Sequence, residues 1–254
     1  MKDFKPCILI PVYRHGKACV QVVESILQYG IPIILVDDGN AEETKAFLRS
    51  IKNSHPQVEI VTLSKNMGKG GAFKAGVIFA KNAGFSHILQ IDADGQHDSK
   101  RIPFFLEKSF SSPEKLICGY PEYDESAPGH RKNAHAFANT WCAIITWSRK
   151  ITDALCGFRV YPTEPTYRFV QKKFFDKRMG FDVEILIKLM WSGVDVEFYP
   201  VKVTYPSDGI SNFHAFRDNV RISWVFTKLC LKMILLSPYL LWKKAFSFVR
   251  KVGD

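Results

Sequence analysis

Between residues 7 and 118, short β-rich apolar runs alternate with segments of helical spacing, and this alternation limits the possible folds more than any other feature. "CILIPVY" (7–13) reads as a strand, from its Ile and Val content and the turn that ends it. "KACVQVVESILQYG" follows, with Val20, Val23, Ile26 and Leu27 on a helical period and Gly30 as its stop. "IPIILVDDG", "VEIVTLS" and "HILQID" read as the second, third and fourth strands. "NAEETKAFLRSI", with Asn40 as its cap, and "GGAFKAGVIFAKNAG" read as the helices between them. A further helix (99–110) and strand (115–118) continue the pattern. Such a series predicts right-handed βαβ units: an α/β fold with a Rossmann-like, mostly parallel sheet flanked by helices.

The second half is less regular. "GYPEYDESAPGHRKN" (119–133), rich in Gly, Pro and charge, reads as a long mobile loop. A helix over 134–149 and another from about Asp182 to Gly193 are expected, with strand-like alternation over 194–206. A soft boundary near Asn212 divides a domain (1–212) from a basic amphipathic helical tail (213–254). The net charge is +10, and from Arg217 onward eight basic residues face two acids, so the tail supplies most of the excess. Its segment 222–249 is apolar enough to suggest a membrane span, but Lys228, Lys232 and Pro238 interrupt it. Lysines interleaved with Trp224, Phe226, Trp242 and Phe246 suit peripheral contact with an anionic membrane, or else helices packed on the domain with their lysines reaching water. The six cysteines form no C-x-x-C pair and sit in apolar surroundings, as reduced core thiols of a cytoplasmic protein do. The amino-terminal apolar run is too short for a signal peptide.

Ligands on parallel sheets bind beyond the carboxyl ends of the strands. There the sequence places Tyr13 and Arg14, Asp37 and Asp38, Asn66, and Asp92 and Asp94. Adjacent carboxylates on a strand point to opposite faces, so only one acid of "VDDG" could serve a base or ribose; an ordinary Asp-Gly turn is the other reading. "NMGKGGAFKAG" opens a helix with Lys69 and Lys74, a setting that suits an anion or simply tight packing of a helix. It matches neither the Walker spacing nor the dinucleotide fingerprint, which argues against an NAD-dependent oxidoreductase. "DADGQH" (92–97) sets two carboxylates one residue apart with Gln96 beyond, an oxygen-rich group of the kind that Mg²⁺ or Mn²⁺ prefers when substrate phosphates complete its shell. His97 reads as a structural residue.

Taken in order, "PVY" (11–13), "VDDG", "NMGKGGA", "IDADGQH", "DALCGFRVY" (153–161) and "GFDVEILIK" (180–188) resemble family 2 glycosyltransferases of the GT-A fold, and most of all the polyprenyl- and dolichyl-phosphate sugar transferases. The resemblance runs from about residue 7 to 213. It implies that Pro11, Tyr13 and Asp37 line the nucleotide pocket of a nucleotide-diphospho-sugar, with Lys69 nearby. It implies that Asp92, Asp94 and Gln96 hold the divalent metal, that Arg131 and Arg159 receive phosphates, and that Glu184, with Asp182 beside it, lies near the acceptor. "YPSDGIS" (205–211) resembles a segment that closes over the donor. The implied activity is inverting transfer from a UDP- or GDP-sugar to a lipid-linked acceptor at the inner face of the membrane, with no nucleic acid involved. Leaving-group charge would be neutralised by a metal and by basic side chains. A nucleotidyltransferase of related fold would need a Gly-rich loop after strand one, where this chain has "PVYRHGKA". A non-catalytic basic module would leave the acids at the strand ends unexplained.

Overall fold

The computed structural model describes residues 3–123, 129–172, 176–204 and 215–252; within these ranges the side chains of 123, 129–134, 215–219, 240 and 242–252 are outside the description. The elements are β1 (Pro6–Val12), α1 (Gly16–Ile26), β2 (Ile33–Asp37), α2 (Glu42–Ser54), β3 (Val58–Thr62), α3 (Lys69–Asn82), β4 (His87–Gln90) and α4 (Ile102–Ser111). They continue with β5 (Leu116–Tyr123), α5 (Gly129–Thr146), β6 (Arg159–Pro162), α6 (Thr163–Val170), α7 (Phe181–Ser192), β7 (Val196–Val203) and α8 (Ala215–Val252).

The strands form one sheet in the order β3-β2-β1-β4-β6-β5-β7. β1 to β4 are parallel, as the alternation predicts. β6 runs antiparallel to both β4 and β5, and β7 pairs in parallel with β5. The sheet is therefore mostly parallel, with one reversed strand inserted beside β4. Helices cover both faces, so the central strands are buried on both sides, which explains their continuous apolar runs. Alternate residues of β1 divide between two cores: Cys7 and Leu9 join the layer under α3 and α7, while Ile8, Ile10 and Val12 join the layer under α1 and α4. Gly76 lets α3 lie close to the sheet, since a Cβ there would fall 2.2 Å from Leu9 Cδ1.

Three expectations need correction. The segment 119–133 is not one long loop: β5 runs on to Tyr123 and α5 begins at Gly129, leaving 124–128 outside the described residues. The prolines and charges misled because β5 pairs with β6 only at Ile117 and Cys118. Gly119 N–H still donates to Phe158 O at 2.8 Å, and beyond it the β6 side has no further pairing among the described residues, so Pro121 is tolerated there. Asn40 does not cap α2; Ala41 holds the cap position without a side-chain bond. The third correction concerns α8, where Phe226, grouped with Trp224 as suited to membrane contact, is instead buried with Val225 and Leu229 against the body of the domain.

Candidate active site

The carboxyl ends of β2, β1 and β4 lie side by side, and the residues expected there do converge. Pro11 sits where β1 still pairs with β2 but has passed its register with β4, so its missing N–H costs little. Tyr13 follows, half-buried. Asn40 ties the two strand ends together: its amide nitrogen donates to Val12 O at 2.8 Å and to Asp37 Oδ1 at 2.7 Å, and its oxygen accepts the Arg14 N–H at 2.7 Å. Arg14 is held at φ +66°, a left-handed backbone uncommon in a non-glycine residue, with its N–H fixed by that bond. Asp37 is thus buried and engaged with Asn40. Asp38 turns the other way and accepts the N–H groups of Met67 (2.6 Å) and Gly68 (2.9 Å). Burial raises the Asp38 carboxyl above its ordinary range in spite of those two amides.

The glycine-rich start of α3 serves packing. The Gly70 and Gly71 N–H groups both donate to Lys177 O, at 2.9 and 3.3 Å. A Cβ on Gly70 would meet Asp176 O at 2.6 Å and Phe181 at 2.8 Å. Asp38 and Lys177 thus occupy four of the N–H groups around this helix start, those of Met67, Gly68, Gly70 and Gly71.

Lys69 is the exception, because its side chain turns toward β4. Its ammonium lies 2.9 Å from Asp92 Oδ1, 3.1 Å from Asp92 Oδ2 and 3.0 Å from Asp182 Oδ2. Burial pulls the Lys69 ammonium down, but Asp182 and Asp92 outweigh it, and the group lies above its ordinary range. Burial likewise pushes the Asp92 carboxyl up, yet Lys69, and then His97 and His15, hold it below its ordinary range. Gly157 makes room for the pair: a Cβ there would be 2.6 Å from the ammonium and 2.9 Å from Asp92 Oδ2. Gln90, fully buried on β4, reaches Asp182 Oδ1 at 3.5 Å.

Asp94 is half-buried in the turn after β4, and its Oδ1 accepts the Gln96 N–H at 3.1 Å. Gly95 takes φ +73° there, and Thr204 N donates to Gln96 O at 3.0 Å, so β7 holds the turn in place. A shallow cavity of about 290 Å³ opens beyond it, lined by residues 95–98, Lys100, Lys202 and Thr204. His97 lies against Cys156 and Phe158, a packing position, as expected.

Two expected site residues stand elsewhere. Arg159 is fully buried; its guanidinium donates to Asp182 O at 2.7 Å and Ala154 O at 2.8 Å, bracing the backbone behind the site instead of facing a phosphate. Glu184 does not face Lys69: its carboxylate pairs with Lys188 and accepts the Asp176 N–H. Of the two acids on α7, it is Asp182 that joins the cluster. Arg131 lies in α5, but its side chain is outside the described residues, as is all of 205–211.

Residues 7–179 match the family described as Glycosyl transferase family 2. The chain belongs to glycosyl transferase family 2. Among curated relatives it is 28% identical over 175 residues to a dolichyl-phosphate beta-glucosyltransferase of Dictyostelium discoideum, covering 63% of this chain and 51% of that protein. It is 25% identical over 201 residues to the human dolichyl-phosphate beta-glucosyltransferase (70% and 61%) and 22% identical over 221 residues to the polyprenol monophosphomannose synthase of Mycolicibacterium smegmatis (84% and 82%). The chain thus spans about half to three fifths of the length of the dolichyl-phosphate enzymes. In structure it resembles glucosyl-3-phosphoglycerate synthase from Mycobacterium tuberculosis, solved with Mn²⁺, UDP and glucosyl-3-phosphoglycerate; the TM-score is 0.66 at 14% identity, with 90% of this chain and 79% of that one covered. This likeness is one of fold, and it agrees with the GT-A architecture.

Seen as a family 2 domain, the chain has one further surface of note. On α8 the inward face (Val225, Phe226, Leu229) packs on the body, yet Val220, Trp224, Leu231 and Leu235 are exposed at helical spacing along the opposite face, Leu235 at 81%. Exposed Lys228 and Lys232 flank that stripe. Phe137, Trp141 and Ile144 form a second exposed stripe on α5, against which α8 packs. Among the described residues no helix is long and apolar enough to cross a membrane.

Proposed function

We propose that this chain is a metal-dependent inverting glycosyltransferase, which moves a sugar from a UDP- or GDP-sugar to a lipid-linked acceptor of the polyprenyl phosphate class. The observation that carries the reading is the meeting of Asp92, Lys69 and Asp182 at the carboxyl end of β4, with Asp94 in the next turn, inside a family 2 domain. Pro11, Tyr13 and Asp37, at the neighbouring strand ends, would line the nucleotide pocket. The names of the curated relatives support the acceptor class.

The donor set suits a hard divalent cation. Asp92, Asp94 and Gln96 offer oxygen only, and among the described residues no cluster of three His, Cys, Asp or Glu side chains could cage an ion alone. Such a site would hold Mg²⁺ or Mn²⁺ together with substrate phosphate and water, and the ion would supply charge neutralisation at the leaving diphosphate. Lys69 adds a positive charge at the same place, and Asp182 orients Lys69. Arg159 and Gly157 keep the 153–159 loop clear of the ammonium. A phosphate acceptor is already anionic, so the reading requires no strong base, in accord with the engagement of Glu184 by Lys188. Arg131 would meet a phosphate from α5.

We assign residues 1–212 to the chemistry and 213–254 to holding the domain peripherally at the inner, cytoplasmic face of an anionic membrane. Exposed Trp224, Leu231 and Leu235 with Lys228 and Lys232 alongside, continued by the α5 stripe, are the features that favour this. Calorimetric titration with UDP- and GDP-sugars, with and without Mn²⁺, tests the donor reading, and absence of Mn²⁺-dependent binding to any of them sinks it. Co-flotation with vesicles containing anionic lipid, weakened by Leu231→Glu with Leu235→Glu, tests the membrane reading; equal flotation of the double variant would rule this surface out.

A further inference from the structure

The two acids of the D-x-D turn are not equivalent. Asp94 accepts one backbone N–H, from Gln96. Asp92 has both carboxylate oxygens within 3.1 Å of a single ammonium, that of Lys69. The same ammonium is held from the other side by Asp182 at 3.0 Å, and the bare backbone of Gly157 leaves space for it. Lys69, Asp92 and Asp182 together carry one net negative charge, so the chain already supplies a cation where a divalent ion is expected to meet Asp92. The contrast with Arg159 is instructive: that guanidinium is fixed between two backbone carbonyls, whereas Lys69 reaches its site on a flexible stem from the first residue of a helix.

We propose that Lys69 is a built-in counter-cation that closes Asp92 to the divalent ion until a nucleoside diphosphate draws the ammonium away. The proposal rests on the reading that Asp92 and Asp94 take a divalent cation. Holding a doubly charged ion and an ammonium on one carboxylate sets like charges within a few ångströms in a half-buried site, where solvent screens them poorly. The two therefore exclude one another. An incoming diphosphate changes the balance, because its oxygens give Lys69 a new anionic partner and the ion a second set of ligands at once. Asp182, on the other side of the ammonium, stays its partner and aims it as it turns from Asp92 to the diphosphate. In the free protein the ion is weakly held, and nucleotide and ion bind cooperatively.

The test is Mn²⁺ binding to the full chain, followed by the electron paramagnetic resonance signal of free Mn²⁺, alone and with UDP or, separately, GDP. A coupling of the ordinary size for linked sites, on the order of tenfold, is expected between nucleotide and Mn²⁺ in the wild type. Lys69→Met should bind Mn²⁺ about tenfold more tightly than wild type without nucleotide, and lose most of the nucleotide dependence. Lys69→Arg, which keeps the charge, should stay as weak as wild type. Lys69→Gln serves as a second uncharged variant if the Met variant does not fold. A merely structural ion pair would leave Mn²⁺ affinity unchanged or lowered in folded Lys69→Met and Lys69→Gln, and that result overturns the proposal. Asp94→Asn separates the two failures. If Asp94→Asn binds Mn²⁺ as wild type does, the cation reading itself fails. If it abolishes binding while the Lys69 variants show no gain, only the exchange by Lys69 fails.

Discussion

Replacing Glu184 by Gln separates a site acid from a structural one. Glu184 and its partner Lys188 are 8% and 12% exposed at their side chains, so the pair is shielded from water. The other Glu184 oxygen accepts the Asp176 N–H, and Asp176 in turn accepts from Arg221 Nε at 2.9 Å. Glu184 therefore links α7 to the segment before it and, through Asp176, to α8. Gln keeps the shape but removes the charge, leaving the Lys188 ammonium without its carboxylate. Breaking a buried pair from one side costs about 3 kcal/mol or more. At roughly 2–4 °C per kcal/mol for a domain of this size, the melting temperature should fall by about 6–12 °C. The circular dichroism melt reads that shift. Nucleotide release from the donor, measured at 20 °C where the variant is still folded, should remain within a few-fold of wild type. Asp182→Asn should behave in the opposite way: because Lys69 keeps Asp92, the melt moves little, while turnover falls on the order of a hundredfold as the ammonium loses its placement. A Glu184→Gln protein with an unchanged melt and no turnover would refute this division of roles.

Asn40→Ala removes the bonds to Val12 O, Asp37 and Arg14 N from a buried position, and should cost about 2 kcal/mol in urea unfolding with an unchanged m-value. The folded-state pKa of Asp92 lies below its unfolded value, so the stability it contributes is present above the unfolded pKa and is lost as pH falls through the folded one. The gap in unfolding free energy between wild type and Asp92→Asn should thus be flat above about pH 5 and shrink below about pH 4. Burial pushes the thiols of Cys19, Cys118 and Cys142 up to about 12, and those of Cys7 and Cys156 higher still, whereas Cys230 is only half-buried. Of the six thiols, about one should therefore react quickly with a disulfide reagent in the native protein and all six after unfolding.

The first half of the fold was legible because its forces are local. Strand runs of Ile and Val, helical spacing and Gly stops set β1 to β4 and α1 to α3 in place, and parallel pairing then brings their carboxyl ends to one edge. The D-x-D turn was legible for the same reason, since two acids directly after an apolar strand must emerge at that edge. The reach of β5 and the reversed β6 were not, because Pro121 and Gly119 read as loop residues unless the free flank of the strand is known. Asn40 was misread as a cap because a cap and a strand-end tie use the same side chain, and only the position of Val12 and Arg14 distinguishes them. Gln90 and Gly157 carried no signal, as each matters only through the Lys69 cluster it touches.

The sequence by itself determined the parallel sheet, the edge where ligands meet it, and the family. These follow from periodicity and motif order, which short-range sterics and apolar burial enforce wherever such a chain folds. Tertiary structure decided which charges face one another. It set Lys69 of α3 between Asp92 of the β4 turn and Asp182 of α7, turned Glu184 two residues later toward Lys188, and sank Arg159 into the core. The two partners of Lys69 lie 23 and 113 positions away from it in the chain. Local sequence carries no record of such distances; they are fixed only when the packed layers bring opposite charges within reach of one another.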